Sequence, residues 1–518
     1  MQYKLVISTS RFQSQVADLL PCNKYKKSQL TYSLLVSYGL LDGFDVIIDD
    51  PCCNKKDLLQ FHSRDYIDLL LDPVYNRIIQ YDDDESKWSQ LHPYIRDWLD
   101  SHPEEVPTSG MIEKRAGLLE FYKKYNRFKK KRSISEAFSE SESESESGSG
   151  SGSEANEYFQ INNSRERQQD VYKKFNLEGD CPLFSFLPLY CEVISGASLM
   201  LSDFIEKSSS QRTIAINWDG GRHHAIKNKA SGFCYINDIV ILIQKLRKKG
   251  ISKVSYIDFD LHHGDGVEKA FRYSSNIQTI SMHMYEPGFF PCTGSLEDTL
   301  NGKNIVNVPL YHGVDDNYMT EIVNELIKPL IERHSPEVLV IQCGGDGLIG
   351  DKFEEWQLTI SGLTRNIQNL IEWFPKSDII LLGGGGYNEL VMSRFYTYLT
   401  YQIVKKYGSK PIIDLCIPRR TITNASDKEE FNSDREDEDE DGDGDGDVLL
   451  PEHEFIELYS KEFYKFWVYE LESSNKRKTL KNYNDARYLD KLLKFYGMSK
   501  PKTDNCSSEI NFRGKREE

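Results

Sequence analysis

The sequence has 518 residues, 39% of them hydrophobic, which is enough for one large domain with insertions or for two domains. Its formal net charge is −17, but residues 427–447 carry −11 and residues 133–157 carry −7. The rest of the chain is therefore close to neutral, and neither acidic stretch describes the charge of an active surface. No apolar run approaches the roughly 20 residues of a membrane span.

The cysteine pattern and the beginning of the chain indicate a cellular compartment. The ten cysteines include no Cys-x-x-Cys pair, and the first residues lack the basic start and apolar core of a secretory signal. We therefore predict an intracellular soluble protein with free thiols and without structural zinc on paired cysteines.

The chain begins with alternating strand and helix patterns. Short apolar strands are predicted at 5–7 and 46–48, with a helical pattern at 31–41, and we assign 1–72 to the N-terminal part of the main domain. Residues 73–168 lose this regularity and contain a Ser-Glu repeat and a Gly-Ser run. Such a composition buries too little apolar surface to fold, so we predict a low-complexity, largely disordered insertion.

Order returns in 169–418, which we assign to the core. Its five short apolar runs are 213–218, 254–260, 279–283, 338–343 and 379–382. Helical segments lie between them, such as 236–249, which has a basic last turn and a glycine stop. Strand and helix in repetition predict a three-layer α/β/α fold with a parallel central sheet. Such sheets bind ligands at the carboxyl ends of their strands.

The C-terminal part divides by composition into three segments. Residues 419–448 are an acidic stretch too simple for a calcium loop, so we predict a disordered linker. Residues 449–472 are rich in Tyr, Phe and Trp and predict a helical element packed on the domain. Residues 473–518 are polar and basic, and we predict a loose tail.

The segment 256–265, with three aspartates and two histidines, is the strongest functional signal. Asp260 and His262 are two residues apart, so in extended chain they share a face. With the distant Asp346 they would offer two carboxylates and one imidazole and leave a coordination position open. That set is typical of a catalytic zinc site, and iron(II) or another divalent ion is an alternative.

Several further residues suit hydrolysis at such a metal. His223 and His224 can supply a general base and a general acid, with Asp258 and Asp265 as the carboxylates that orient them. Tyr387 follows four glycines and can donate a hydrogen bond to a developing oxyanion. The glycine run lacks the following Lys-Ser/Thr of a nucleotide loop, so a phosphate site is a poor alternative.

Five motifs together resemble the class I histone deacetylases, in their fungal Hos branch. They are Arg222-His-His-Ala, Ala230-Ser-Gly-Phe-Cys-Tyr-Ile-Asn-Asp-Ile, Ile257-Asp-Phe-Asp-Leu-His-His-Gly-Asp-Gly-Val-Glu, Pro287-Gly-Phe-Phe-Pro and Gly383-Gly-Gly-Gly-Tyr-Asn. The resemblance implies the arginase/deacetylase fold and zinc-dependent hydrolysis of acetyl-lysine. It also implies that Asp260, His262 and Asp346 are metal ligands.

The resemblance assigns further roles to individual residues. Phe233 and Phe290 match the aromatic walls around the lysine stem, and Phe353 replaces a usual leucine at the tunnel mouth. Asp180 matches the aspartate that holds the substrate backbone, and the carbonyl of Gly232 would meet the substrate amide hydrogen. Family members also hold a potassium ion near a set of residues that here are Asp258, Asp260, His262 and Ser281.

Two further departures from the family pattern affect expectations. Lys27 replaces a usual arginine beside the acetate-exit pocket, and lysine lacks the planar fork of arginine. The inositol-phosphate site of corepressor-bound members needs a basic residue shortly after the glycine turn, where this chain has Glu389-Leu390. Lys24 and Lys352 remain, but we expect no inositol phosphate to join this protein to a corepressor.

The expected partner is an acetylated protein, a histone tail or a cohesin-type chromatin protein, with a corepressor or chromatin complex as a further partner. No nucleic-acid-binding motif is evident, and a nuclear location, with some protein in the cytoplasm, follows from the function. Two alternatives remain open. One is a manganese ureohydrolase of the same fold, and the other is a catalytically inactive scaffold that binds acetyl-lysine.

Overall fold

A single parallel sheet organises the fold. The computed structural model describes residues 3–23, 26–75, 170–207, 209–409, 448–470 and 480–498. The strands are β1 Lys4–Ser8, β2 Val46–Ile48, β3 Thr213–Asn217, β4 Val254–Asp258, β5 Ile277–Met284, β6 Ile305–Leu310, β7 Val338–Gln342 and β8 Asp378–Leu382. Their spatial order is β2-β1-β3-β8-β7-β4-β5-β6, and every pairing is parallel.

Helices cover both faces of the sheet. They are α1 Arg11–Ala17, α2 Lys27–Ser37, α3 Lys55–Leu58, α4 Arg64–Leu70, α5 Leu187–Leu201, α6 Asp238–Lys248, α7 Asp265–Phe271, α8 Asp316–Ile322, α9 Lys328–His334, α10 Ile360–Trp373, α11 Glu389–Tyr407 and α12 Ala486–Phe495. Alternate residues of β8 show the two layers, since Ile379 and Leu381 join one apolar cluster and Ile380 and Leu382 join another. The predicted three-layer α/β/α fold with a parallel sheet is confirmed.

The predicted apolar runs all form strands, but one strand was missed. β6 reads Ile-Val-Asn-Val-Pro-Leu, and its Pro309 argues against a strand because proline is rare inside strands. The structure explains the exception, since β6 pairs with β5 alone and lies at the edge of the sheet. A proline is tolerated there because one side of the strand needs no ladder hydrogen bonds.

Helix α6 ends where its sequence predicts. The side chain of Asn237 accepts a hydrogen bond from the Val240 amide at its start. Its last turn is basic, and Gly250 follows with φ 93°, a left-handed conformation that glycine adopts without steric cost. The caps therefore fix both ends of the helix that follows the His223-His224 loop.

The C-terminal segments differ in part from expectation. Residues 448–470 pack on the domain through buried Tyr459, Phe466 and Trp467, and the helical element in them is a 3-10 helix, Ile456–Glu462. The tail predicted to be loose contains α12, which buries Leu489, Leu492 and Leu493. Its apolar residues repeat at helical spacing, a pattern that the surrounding basic residues obscure.

Some predictions fall outside the described residues. The insertion predicted at 73–168 is described only at Pro73–Tyr75, a short 3-10 turn, and the linker predicted at 419–448 only at its last residue. Lys24 also lies outside the described part. Within that part, no helix combines the length and the apolar character that crossing a membrane requires.

Candidate active site

Four neighbouring strands bring the predicted functional residues together. β3, β8, β7 and β4 are adjacent in the sheet and parallel, so their carboxyl ends lie at one edge. The loops that leave these ends carry the histidine pair, the glycine turn with Tyr387, Asp346 and the Asp260–His262 segment. These groups are far apart in the chain but lie close together at this edge, as the strand pattern predicts.

Asp260, His262 and Asp346 meet at one point. One ligand atom from each lies within 4.8 Å of the others, and within the described part of the chain they form the one cluster of this kind. His262 Nδ1 lies 2.8 Å from Asp346 Oδ2 and 3.3 Å from Asp260 Oδ1. All three residues are buried. The sequence prediction of a three-residue ligand set is thus geometrically feasible.

Other groups hold the remaining carboxylate oxygens. Asp260 Oδ2 accepts hydrogen bonds of 2.8 Å from Gln342 Nε2 and from the Gly385 amide. Asp346 Oδ1 accepts one of 2.7 Å from the Leu261 amide. A Cβ atom at residue 385 would lie 2.6 Å from Asp346 Oδ2 and 2.8 Å from Asp260 Oδ2. Glycine is required there because the backbone itself closely approaches both carboxylates.

The electrostatics of this cluster suit a cation. Burial and the charge of Asp260 raise the pKa of Asp346 to about 7. Burial alone would lower the pKa of His262, but hydrogen bonds to Asp260 and Asp346 raise it to about 10. Two buried carboxylates so close together need a positive charge, and a proton or a divalent ion can supply it. Oxygen and imidazole donors of this kind fit zinc or iron(II).

Each histidine of the adjacent pair is bonded to its own aspartate. His223 Nδ1 lies 2.9 Å from Asp258 Oδ2, and His224 Nδ1 lies 2.9 Å from Asp265 Oδ1. A carboxylate only accepts, so both rings donate from Nδ1, and the Nε2 atom of His223 lies 3.8 Å from Asp260 Oδ1. The two rings lie side by side, with centroids 3.8 Å apart.

The two histidines differ in basicity. Burial lowers the pKa of His223, but Asp260 and Asp258 outweigh that effect and raise it to about 9. Burial and the neighbouring His223 lower the pKa of His224 to about 3. Lys269 Nζ lies 2.5 Å from Asp265 Oδ2 and shares the carboxylate that would otherwise support a charged His224. The pKa of one ring of the pair is therefore raised and that of the other is lowered.

Tyr387 is held by its backbone. Its amide donates a 2.6 Å hydrogen bond to Asp351 Oδ2. Lys27 Nζ lies 2.9, 3.3 and 3.2 Å from the carbonyls of residues 384, 385 and 386. Burial raises the pKa of the Tyr387 hydroxyl well above its usual value, so it stays protonated and can donate. The single ammonium group of Lys27 therefore contacts three carbonyls, where the expected arginine would offer a planar guanidinium.

Aromatic side chains surround the entrance. Phe233 and Phe353 lie 5.6 and 5.4 Å from the Tyr387 ring, and Phe290 lies 4.9 Å from the His224 ring, between centroids. Phe290 and Phe353 keep 40% and 38% of their surface exposed. These three residues, predicted from the family motifs, therefore form an apolar opening above the histidine pair.

Asp180 and Gly232 are also adjacent at this opening. Asp180 is exposed, and its Oδ2 accepts a 2.8 Å hydrogen bond from the Gly232 amide. Gly232 has φ 51°, and a Cβ atom there would lie 2.5 Å from His224 Cδ2 and 2.9 Å from Phe290 Cε1. Only glycine lets the chain pass between the histidine and the aromatic wall.

The residues of the predicted potassium site lie on neighbouring strands. Asp258 at the end of β4 is in register with Ser281 of β5. Ser281 Oγ accepts a 3.4 Å hydrogen bond from the Gly264 amide, in the loop that carries His262. Both residues are buried, and Asp258 Oδ1 accepts a 3.1 Å hydrogen bond from the Asp260 amide.

Sequence reasoning missed four supporting residues. Gln342 holds Asp260, Asp351 holds the Tyr387 amide, and the Tyr256 hydroxyl donates a 2.6 Å hydrogen bond to Asp258 Oδ2. The ring of Phe289 stacks on His262, with centroids 5.1 Å apart and an interplanar angle of 10°. Gln342 and Tyr256 are polar residues inside apolar strands, and this signal could have identified them.

Comparisons with known proteins agree with this arrangement. The histone deacetylase domain matches residues 20–403. Histone deacetylase HOS1 of Saccharomyces cerevisiae is 48% identical over 513 residues, which cover 95% of this chain and 99% of that protein. Histone deacetylase 8 of Xenopus laevis is 39% identical over 244 residues, 46% of this chain and 74% of that protein. Histone deacetylase 1 of Homo sapiens is 41% identical over 234 residues, 44% of this chain and 47% of that protein.

These matches include the strands and loops that form the edge described above, so the predicted family resemblance and fold are confirmed. The chain belongs to the histone deacetylase family, in its class I group and Hos-type branch, and is a protein deacetylase.

Proposed function

We propose that this protein hydrolyses N6-acetyl-lysine in histones or other chromatin proteins with the help of a bound zinc ion. The observation that carries the proposal is that three groups lie together at one edge of the sheet. These are the Asp260, His262 and Asp346 cluster, the aspartate-bonded histidine pair, and the protonated Tyr387. Iron(II) is the alternative ion, because the donor set does not distinguish the two.

Zinc held by Asp260, His262 and Asp346 would polarise the acetyl carbonyl and lower the pKa of a water molecule. The protein residues then manage the protons. His224 is neutral and donates from Nδ1 to Asp265, so the lone pair on its Nε2 can accept the proton of the attacking water. His223 lies between Asp258 and Asp260, which raise its pKa and keep its ring protonated. It is therefore suited to protonate the departing lysine nitrogen.

Tyr387 supplies the hydrogen bond that strengthens as the carbonyl oxygen becomes negative. Its hydroxyl is protonated because of burial, and its backbone is fixed by Asp351. A donor that is already in place needs no reorganisation during the reaction, and loss of one such donor typically costs about 10²- to 10³-fold in rate.

The aromatic opening would select the lysine side chain. Phe233 and Phe290 can enclose its methylenes, each worth about 0.8 kcal/mol when buried, and Phe353 narrows the entrance. The Gly232 carbonyl would accept a hydrogen bond from the substrate amide, and Asp180 would hold the substrate backbone. A potassium ion near Asp258, Asp260, His262 and Ser281 would reinforce the loop beneath the zinc ligands.

The cellular setting follows from this activity. We propose that the substrate is a histone tail or another acetylated chromatin protein, with a cohesin subunit as one candidate. A nuclear location and membership of a corepressor or chromatin complex would bring the enzyme to such substrates. The histone deacetylase names of its relatives support this setting.

The test is turnover of a fluorogenic acetyl-lysine peptide by purified protein loaded with zinc, beside Tyr387→Phe and a hydroxamate inhibitor. We expect turnover that the inhibitor abolishes and that falls about 10²- to 10³-fold in the variant. A folded, zinc-loaded protein that binds the peptide without cleaving it would instead support the scaffold alternative. Hydrolysis of guanidino substrates with manganese alone would support a ureohydrolase.

A further inference from the structure

The loop of residues 349–357, which we call the entrance loop, connects two groups of the candidate site. Asp351 Oδ2 accepts a 2.6 Å hydrogen bond from the Tyr387 amide, and Asp351 Oδ1 accepts one of 3.0 Å from the Phe353 amide. The amide of the first loop residue donates a 2.8 Å hydrogen bond to the Leu358 carbonyl and joins the two ends of the loop. One short segment therefore supports both Tyr387 and the aromatic ring at the opening.

Residues 312–314 hold the second half of the entrance loop. The Gly313 amide donates a 2.8 Å hydrogen bond to the Glu355 carbonyl, and the Gln357 amide donates one of the same length to the Val314 carbonyl. Both contacts lie within four residues of the aromatic ring at the opening. The position of residues 312–314 therefore influences where that ring lies.

Residues 480–498, which we call the C-terminal strap, pack on the same place. The side chain of Gln357 accepts a 3.1 Å hydrogen bond from the Leu480 amide. Its Nε2 donates to the carbonyls of Leu480 and Gly313 at 2.8 and 2.9 Å. A Cβ atom at residue 313 would collide with the Lys481 carbonyl, so the two backbones are in direct contact. Gln357 therefore joins the entrance loop, Gly313 and the strap at one point.

Asn484 fixes the strap on the chain just before Gly313. Its Oδ1 accepts a 2.8 Å hydrogen bond from the Tyr311 amide, and its Nδ2 donates to the carbonyls of Tyr311 and His312 at 3.0 and 3.4 Å. The side chain is only 5% exposed, and buried amides of this kind fix the register of the backbones that they join. These hydrogen bonds are all made outside the entrance loop.

The far end of the strap covers the edge of the sheet. The Tyr488 hydroxyl donates a 2.5 Å hydrogen bond to the Pro309 carbonyl of β6, and the Tyr496 hydroxyl donates one of 2.6 Å to the Asn307 carbonyl. An edge strand offers such carbonyls because one of its sides has no neighbouring strand. The strap therefore has two attachments, one at the sheet edge and one beside the entrance loop.

We propose that Asn484 and Gln357 are positioning residues for deacetylation, because they dock the strap so that the entrance loop holds Phe353 against the substrate. This inference rests on the proposed function, which gives Phe353 its place at the substrate opening. The zinc ligands and the histidine pair lie on other loops, so the strap acts on substrate binding more than on the chemical step. Small displacements of groups that position a substrate are costly for an enzyme.

The experiment measures KM and kcat for an acetyl-lysine peptide with the full chain loaded with zinc. Asn484→Ala should raise KM about five- to tenfold and keep kcat within about twofold. Tyr496→Phe is the matched control, since it removes a hydrogen bond at the far end of the same strap, and it should keep the KM of the wild type. Equal increases of KM in both variants overturn the inference, because general loosening of the strap would then explain the effect.

Gln357→Leu tests the same attachment from the side of the entrance loop. It removes the hydrogen bonds to Leu480 and Gly313 and should raise KM by a similar factor. This variant keeps the test decisive if Asn484→Ala does not fold. An unchanged KM in Gln357→Leu overturns the inference.

A double-mutant cycle tests whether the effect passes through Phe353. In a Phe353→Ala background, Asn484→Ala should change KM by less than about twofold, because the ring that the strap positions is absent. The full increase of KM in that background overturns the inference and leaves the proposed function intact. Failure of the wild type to cleave any acetyl-lysine peptide refutes the proposed function instead.

Discussion

His224 Nδ1 lies 2.9 Å from Asp265 Oδ1, and the other oxygen of that carboxylate is bound by Lys269. Asp258 contacts His223 in the same way, but its carboxylate accepts a hydrogen bond from the Tyr256 hydroxyl and not from a lysine. The two histidines are therefore adjacent in sequence and in space but differ in basicity. Burial lowers the pKa of both rings, but Asp260 and Asp258 outweigh burial at His223, whereas the neighbouring His223 adds to it at His224.

Asp265→Asn should lower kcat of deacetylation by about 10- to 100-fold, because an amide can no longer hold His224 as the Nδ1–H tautomer. KM should change little. Lys269→Met is the matched control, since it removes the other contact of this carboxylate and leaves the tautomer in place. Equal losses in both variants would contradict a tautomer role for Asp265.

Asp346→Asn should weaken zinc binding by more than about 100-fold, since it removes a ligand and not merely its support. Metal content after dialysis against a graded chelator measures this without reference to activity. Asp351→Asn is the control, because Asp351 holds the Tyr387 amide. This variant should keep the zinc content of the wild type and have a lower kcat. Full zinc content in Asp346→Asn would refute the ligand assignment.

Gly232→Ala should abolish most deacetylation, because its methyl group would lie 2.5 Å from His224 and 2.9 Å from Phe290. Gly179→Ala separates this clash from backbone strain. Gly179 has a similar φ of 63° but open space around its Cβ position. The control should lose about 1 kcal/mol of the free energy of unfolding and keep its activity. Comparable activity of the two variants would contradict the close approach at Gly232.

His62 should make the fold sensitive to acid. Burial lowers its pKa to about 3, and its Nε2 accepts a 3.0 Å hydrogen bond from the Asn237 amide at the start of α6. The unfolded chain takes up a proton near pH 6.5 and the folded chain does not, so stability is full above that pH and falls as the pH is lowered towards 3. The slope from this residue is up to about 1.4 kcal/mol per pH unit.

Urea unfolding at pH 7, 6 and 5 checks this expectation in the wild type and in His62→Gln, which keeps an acceptor but does not titrate. The difference in unfolding free energy between the two proteins should shrink or reverse as the pH falls. A difference that is constant across this range would show that His62 is protonated equally in the folded and unfolded states.

Inositol tetrakisphosphate should not bind with micromolar affinity. The Lys352 ammonium lies 3.8 Å from the buried Glu389 carboxylate, which would repel a polyphosphate. Isothermal titration of the wild type should therefore show no tight site. The double variant Glu389→Gln, Leu390→Arg should gain measurable binding, because it removes that negative charge and adds a cation. Tight binding by the wild type would refute this prediction.

The local sequence was sufficient for much of the fold and for the candidate site residues. Five of the core strands and the end of α6 follow from apolar runs, a basic last turn and Gly250, since these signals act over a few residues. The edge strand with Pro309 and the helix with Leu489 were missed, because their burial depends on partners elsewhere in the chain.

The sequence by itself determined which chemical groups this protein possesses, because Asp260, His262 and the His223-His224 pair stand in short motifs at strand ends. Only the tertiary structure decided how they differ. Burial lowers the pKa of His223, but the surrounding aspartates outweigh it and raise that pKa, whereas burial and His223 lower the pKa of His224. Burial and the identity of each neighbour set these properties, and both depend on contacts between residues far apart in the chain.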